Sequence, residues 1–294
     1  VNEVLQFIVD SLTAGSFYAL FALGIALIFG IMQLVNFAHG ELIMVGAYSL
    51  YLLHDLPWYA VLPLVLVIVM LTALIMERIA FRPIRGANPA TLLITSFAIS
   101  FLLQNLARMI FTTLPKSADV VPLFRETLLH GAVTIGWLNV ITVATTVVLL
   151  GLLAVFMNRT RIGVQMRAAA EDFEMARLCG VRSNRVIATA FAIGGLLAGA
   201  GAILLVGQTG GVSIGIGLTP VLFGFTAAAV GGLGSLPGSV VGGFLLGIAT
   251  TFLQQVLPFE LAAYRDAFLF VGVFALMSLR PGGLFRVAAL TPRV

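Results

Sequence analysis

Nine apolar runs, most of them about 20 residues long, occupy nearly all of this 294-residue chain. They fall at about 5–31, 36–53, 57–77, 89–111, 132–157, 186–207, 219–233, 237–257 and 262–279. A helix needs roughly 20 mostly apolar residues to cross the hydrocarbon of a bilayer. Inside lipid only helices and closed barrels satisfy their own backbone groups, and runs of this length select the helix. The expected fold is therefore an all-α integral membrane protein, a polytopic bundle of eight or nine transmembrane helices. The seventh run is short for a crossing, so it and the eighth form a candidate interrupted or re-entrant pair.

Charged residues make up 10% of the chain, whereas a soluble domain carries roughly 25% to hydrate its surface. A water-soluble globule is thereby excluded. The net charge is +4, which reads as the positive-inside bias of a membrane protein; no basic face stands ready for nucleic acid. Cys179 is the single cysteine, so no intramolecular disulfide or cysteine-based metal cluster can form. Lys116 is the single lysine, and it lies in Leu114-Pro115-Lys116-Ser117 with no glycine loop before it. The nucleotide-gripping motif G-x-x-x-x-G-K-[ST] is absent; if ATP drives this protein, another subunit binds it. Glu3 and Asp10 replace the basic start of a cleavable signal, so the first run is read as a span. With no linker or low-complexity tract, residues 1–294 are expected to form one transmembrane domain.

Loop charges set the orientation. Arg78, Arg82 and Arg85 follow the third run. Arg159, Arg161, Arg167, Arg177, Arg182 and Arg185 follow the fifth, and Arg280, Arg286 and Arg293 the last. These segments are placed in the cytoplasm. The segment 112–131 balances Lys116 and Arg125 against Asp119 and Glu126, so it faces out. The N-terminus is then outside, the C-terminus inside, and 208–218 an outer connector.

The cytoplasmic segment 158–185 is rich in helix formers, and Gly180 fits a helix stop. A short helix over about 164–179 is expected. Ala169, Phe173, Ala176 and Cys179 or Gly180 share one stripe, small and mildly apolar, flanked by Arg167, Glu171 and Asp172. Two readings stay open: docking into a groove on a partner protein, or lying on lipid with arginines at the headgroups.

Ionisable residues within a span are costly and mark pathways. Asn36, His39 and Glu41 are such a group. Asn36 and His39 can share a helix face, whereas His39 and Glu41 cannot. Gly40 permits a local break. The competing reading has these residues satisfying backbone ends at the inner leaflet, where the first span turns into the second. A metal site is not expected. His39 is followed by Gly40-Glu41-Leu42-Ile43 rather than by an H-E-x-x-H pattern, and His54 and His130 fall at outer ends. Ser16, Ser96 and Ser100 have no evident base to make them nucleophiles. The run from Gly231 to Gly238, with Gly232 and Gly234, is a second broken, small-residue start to a span, of the kind transporters repeat in their two halves. The G-x-x-x-G spacings Gly195/Gly199 and Gly243/Gly247 permit close helix contact within the subunit or with another.

Three stretches carry a family likeness. The run from Arg167 through Ala168-Ala169-Ala170-Glu171-Asp172-Phe173-Glu174-Met175-Ala176-Arg177-Leu178-Cys179-Gly180-Val181 resembles the cytoplasmic coupling loop of branched-chain amino-acid ABC importer permeases. Val35-Asn36-Phe37-Ala38-His39-Gly40-Glu41 is similar to that family's early motif, and Phe225 to Gly238 to its late glycine-rich motif. The likeness spans Gln6 to about Gly283 and is nearer the LivH-type subunit than its LivM-type companion. Cys179 stands where the family has an aliphatic residue.

The resemblance implies an ABC importer permease fold in the bacterial inner membrane. Its partners would be a second, LivM-type permease subunit, two cytosolic ATPase subunits holding ATP and Mg²⁺, a periplasmic substrate-binding protein, and membrane lipid. The chain itself would hold no cofactor and hydrolyse nothing. Arg167, Ala169, Glu171, Asp172, Phe173, Ala176 and Gly180 would couple to the ATPases. Asn36, His39, Glu41, Gly231, Gly232 and Gly234 would border the substrate path. Branched-chain amino acids fit spans with few charges; amides, urea and aromatic acids are carried by related permeases. The rival is a self-sufficient secondary transporter or channel, for which Glu41 is the one centrally placed acid.

Overall fold

The computed structural model describes residues 2–118, 124, 126–129 and 134–285. Asp119, Arg125, His130, Arg286 and Arg293 lie outside the described residues. The long elements are α1 (Asn2–Met32), α2 (His39–Leu52), α3 (Trp58–Met76), α4 (Pro89–Phe111) and α5 (Trp137–Arg159). Next come α6 (Arg161–Glu171), α7 (Phe173–Leu178), α8 (Ser183–Thr209), α9 (Leu218–Gly231), α10 (Leu236–Val256) and α11 (Arg265–Leu279). Seven helical segments are long and apolar enough to cross a membrane; α2 and α9, at 14 residues each, are shorter. Four strand fragments, β1 (Lys116–Ser117), β2 (Thr127–Leu129), β3 (Ile135–Gly136) and β4 (Gly211–Val212), pair as β1–β4 and β2–β3.

Local chemistry sets several helix starts. Asn88 accepts the Thr91 N–H ahead of Pro89, Thr160 that of Gly163, and Ser235 that of Gly238. Each removes one of the unpaired donors that begin a helix.

α1 is the hub, packed by α5, α8, α9 and α10. Small residues let the backbones meet there, as lipid supplies no hydrophobic drive between helices. A Cβ on Gly243 would run into the backbone of Ala19, and one on Gly247 into that of Gly15. On the other side of the bundle a Cβ on Gly195 would stand 2.8 Å from that of Ala73, and one on Gly199 3.2 Å from the Leu66 side chain, both on α3. Both G-x-x-x-G pairs therefore serve contacts within this chain. The periphery is apolar: Phe97, Phe101 and Met109 on α4, and Val271 and Phe274 on α11, are exposed. That inside-out pattern belongs to a surface solvated by hydrocarbon.

Contacts sort the connectors onto two ends. At one end Gly234 meets Gly30, the N–H groups of Leu284 and Phe285 donate to the carbonyls of Val230 and Gly231, and Arg85 joins Glu77 to Asn184. At the other, β1 pairs with β4, and the Gln6 side chain accepts the Thr134 N–H at 2.9 Å. The described parts of the three basic segments share the first end, as their assignment to one side of the membrane requires.

The seventh run crosses rather than re-enters. α9 spans about 21 Å at 1.5 Å per residue, and its last residue, Gly231, lies at the basic end. Residues 214–217 form turns that lead from β4 to its start, with the Ile216 N–H donating to the Ser213 carbonyl and the Leu218 N–H to that of Gly215.

Candidate functional site

Two helices begin together in mid-bundle. After α1 the chain runs back as the non-helical stretch 33–38, starting at Gln33 with φ 54°, and α2 opens at His39. The His39 ring packs between α1 and α8: a Cβ on Gly24 would lie 2.6 Å from its Nε2, and one on Gly194 3.7 Å from its Cε1. Gly24 sits roughly 12 Å before the end of α1, and Gly194 roughly 16 Å past the start of α8, at 1.5 Å per residue. Against a hydrocarbon core of about 30 Å, both rulers put His39 near half depth. The second run is thus helical only from His39, and Asn36 precedes the helix instead of sharing its face. These residues do not close a turn at the inner leaflet; they stand well inside the bundle.

α9 starts against the same point. A Cβ on Gly217 would collide with the Gly40 carbonyl, and one on Gly40 would lie 2.7 Å from the Gly217 carbonyl oxygen. Gly40 is inside α2 and serves this backbone approach; the break expected of it occurs at 33–38. Neither helix has a side-chain cap at its start, where Ala38 and Gly217 stand. Interrupted helices with meeting ends at half depth are the architecture by which transporters form a site in the membrane.

Glu41 turns the other way, as its spacing from His39 requires, and joins α2 to α4. Its Oε1 accepts the Ser100 hydroxyl at 2.7 Å and the Gln104 amide at 2.8 Å. Gln104 Oε1 in turn accepts from Arg108 at 3.4 Å. Ser96 accepts the Phe37 N–H at 3.4 Å, and the Phe37 and Phe97 rings stack 4.6 Å apart. Ser96, Ser100, Gln104 and Arg108 make one polar line on a helix otherwise facing out through Phe97, Phe101 and Leu102. The sequence signal was present: four polar residues at a spacing of four on an apolar span.

Asn36 and His39 differ from Glu41 in being unanswered. They are 3% and 1% exposed, and neither the Asn36 amide atoms nor the His39 ring nitrogens have a hydrogen-bond partner among the described residues. Burying a polar group unpaired costs about 1–3 kcal/mol; the hydroxyls of Ser11, Ser16, Tyr48 and Thr142 carry it too, and Asn36 and His39 stand out by lying where α2 begins against α9. Among the described residues no three His, Cys, Asp or Glu side chains gather in a way that could hold a metal ion.

Gly231, Gly232 and Gly234 lie elsewhere, at the basic end. Gly232 (φ 112°) and Gly234 (φ 89°) take backbone conformations that favour glycine. Gly231 abuts the Gly238 carbonyl. They form the tight joint between α9 and α10, and the structure does not bring them to Asn36 and His39.

The segment 158–185 forms two helices where one was expected. Asp172, at φ −153°, ends α6 and caps α7, its carboxylate accepting the Met175 N–H at 2.9 Å. Aspartate competes for backbone donors and so favours a cap over a helix interior. α7 ends as the glycine predicts: Gly180, at φ 87°, donates to Arg177 and Val181 donates to Ala176, the paired bonds of a left-handed helix stop. The stripe points inward. Ala169 and Ala176 are buried in the chain's own core, and Phe173 is half-buried. The exposed face carries Arg167, Glu171, Glu174, Met175 and Leu178, the last 82% exposed.

Residues 7–277 match the family described as branched-chain amino acid transport system / permease component. The chain belongs to this permease family. It is 36% identical over 97% of its length to BraD of Pseudomonas aeruginosa, a high-affinity branched-chain amino acid transport system permease protein, covering 96% of that protein. It is 33% identical to the LivH permease protein of Escherichia coli K12, over 95% of this chain and 94% of LivH. It is 30% identical to LivH of Salmonella typhimurium, over 95% and 94%. No solved structure gives a match. As a member of this permease family the chain is a multi-pass membrane transport subunit, and its half-depth junction of α2 and α9 is the candidate site.

Proposed function

We propose that this chain is a permease subunit of an ATP-binding-cassette importer that carries branched-chain amino acids across the bacterial inner membrane. The observation that carries this reading is the near-full-length likeness to BraD and LivH, whose names specify that cargo. In this reading Asn36 and His39 border the path beside the Gly40–Gly217 joint, and movement of α2 against α9 opens and closes it.

Energy enters from outside the chain. Its only lysine lacks a phosphate-gripping loop, so partner ATPases hold ATP and Mg²⁺ and dock on the α6–α7 segment through Met175 and Leu178. A second permease of LivM type completes the pathway, and a periplasmic protein delivers substrate to the end carrying β1 and β4.

The test is uptake of labelled leucine, isoleucine and valine into proteoliposomes holding this chain with its partner subunits and binding protein. Uptake that needs ATP and every subunit supports the reading. Uptake by this chain alone without ATP makes it a secondary transporter, and uptake of urea or amides in place of amino acids reassigns the cargo.

A further inference from the structure

At the basic end, α1, α7, α8 and the connector at Arg85 border an open hollow of about 790 Å³. Four of its lining residues are arginines, Arg85, Arg177, Arg182 and Arg185, and none is acidic. Arg85 is already engaged, pairing with buried Glu77 and donating to Asn184. The side chains of Arg177, Arg182 and Arg185 have no ion-pair or hydrogen-bond partner among the described residues. Three exposed guanidinium groups on one hollow, with no acid in its lining, set up a positive potential that draws an anion.

The shape of the lining narrows the anion. The lining also includes the apolar side chains Ile31, Met32, Ile187 and Phe173. Ile31 and Met32 end α1, so the cavity sits where the bundle leaves the hydrocarbon. Arginine forks match phosphate oxygens two at a time, and basic hollows between helices on the cytoplasmic side suit phospholipid headgroups. The start of α8 faces the same space through Ser183 and Asn184, and Arg182 gives it no side-chain cap.

We infer that this cavity binds a phosphate-bearing anion at the cytoplasmic boundary of the membrane. The shared chemistry admits two sources, an acidic phospholipid or a soluble phosphate. Because α7 supplies Phe173 and Arg177 to the wall, an occupant braces the helix that carries Met175 and Leu178.

The experiment uses the full chain purified with its partner subunits. Cardiolipin retention is measured by native mass spectrometry after exchange through phosphatidylcholine nanodiscs with and without cardiolipin. Inorganic phosphate binding is measured by calorimetry on the same preparation. The double variant Arg182→Gln/Arg185→Gln is compared with Arg78→Gln/Arg82→Gln, a pair at the same end outside the lining. A loss of affinity of roughly tenfold or more, confined to the first variant, supports the site. Loss in the cardiolipin arm makes the source lipid; loss in the phosphate arm makes it soluble. Equal binding by both variants and the parent, or equal loss in both variants, overturns the proposal. So does loss of ATPase copurification in the first variant with anion binding unchanged, which gives these arginines to a partner's carboxylates. None of these outcomes depends on which solute the permease carries.

Discussion

Gly217 and Gly40 meet backbone to backbone, with no room for a Cβ on Gly217 beside the Gly40 carbonyl. One is the residue before α9 and the other lies in the first turn of α2. A single methyl at Gly217 therefore pushes the starts of both interrupted helices apart. Gly217→Ala is expected to abolish uptake while Gly215→Ala, which meets nothing within 4 Å, leaves it near the parent level. Uptake by matched amounts of membrane-inserted protein checks this, and wild-type uptake by Gly217→Ala would show that the joint tolerates opening.

Glu41 holds α4 onto α2 through Ser100 and Gln104. Interhelical hydrogen bonds of this kind contribute about 1–2 kcal/mol at most. Glu41→Ala should lower the thermal unfolding temperature in detergent, whereas Glu41→Gln, which keeps an acceptor at Oε1, should recover most of the loss. A Glu41→Gln protein as unstable as Glu41→Ala would mean that charge, not hydrogen bonding, is what counts there.

Asn36 and His39 are buried without an answering partner, as are the hydroxyls of Ser11, Ser16, Tyr48 and Thr142, but only these two lie where α2 begins against α9. Asn36→Ala removes an unpaired polar group and should destabilise the fold by no more than about 1 kcal/mol; His39→Ala also empties the ring's space between α1 and α8 and costs more, so uptake is compared at matched amounts of inserted protein. Both should cut uptake roughly tenfold or more, equivalent to about 1.4 kcal/mol or greater on the barrier. Normal uptake with either variant removes that residue from the path.

The two faces of α7 make opposite demands. Ala176 is buried, and Ala176→Asp places a charge in the core, which is expensive without a partner; the expected result is loss of inserted protein. Leu178 is 82% exposed, so Leu178→Asp should fold and insert normally yet weaken ATPase copurification and uncouple ATP hydrolysis from uptake. If Leu178→Asp retains full coupling, the exposed face of α7 is not where the ATPase sits.

The order of spans was readable because each run is long and apolar, and lipid leaves such a run one backbone solution. That the arginine-rich connectors share one side was readable from their charge, and their described parts do share an end. Half depth was not readable. Composition does not distinguish Asn36 and His39 in a returning segment from the same residues at a turn; only the contacts with Gly24 and Gly194 reveal the level. The break at Asp172 was misjudged because helix-forming neighbours outweigh one capping residue in any summed propensity, although the carboxylate needs only the Met175 N–H to win locally. The inward turn of Ala169 and Ala176 escaped for a related reason. A stripe of small residues fits a partner's groove and the chain's own core equally well, and α8 and α1 lie close enough to α6 to claim it. The polar line on α4 needed only a count at intervals of four.

Pairing of Lys116–Ser117 with Gly211–Val212 welds two outer connectors into one ledge. From that ledge only residues 213–217 lead down to Gly217, a tether that stretches to about 17 Å at most. It is folded into turns, Ser213 to Ile216 and Gly215 to Leu218. A shift of the ledge by a few ångströms must therefore either open those turns or reach the start of α9.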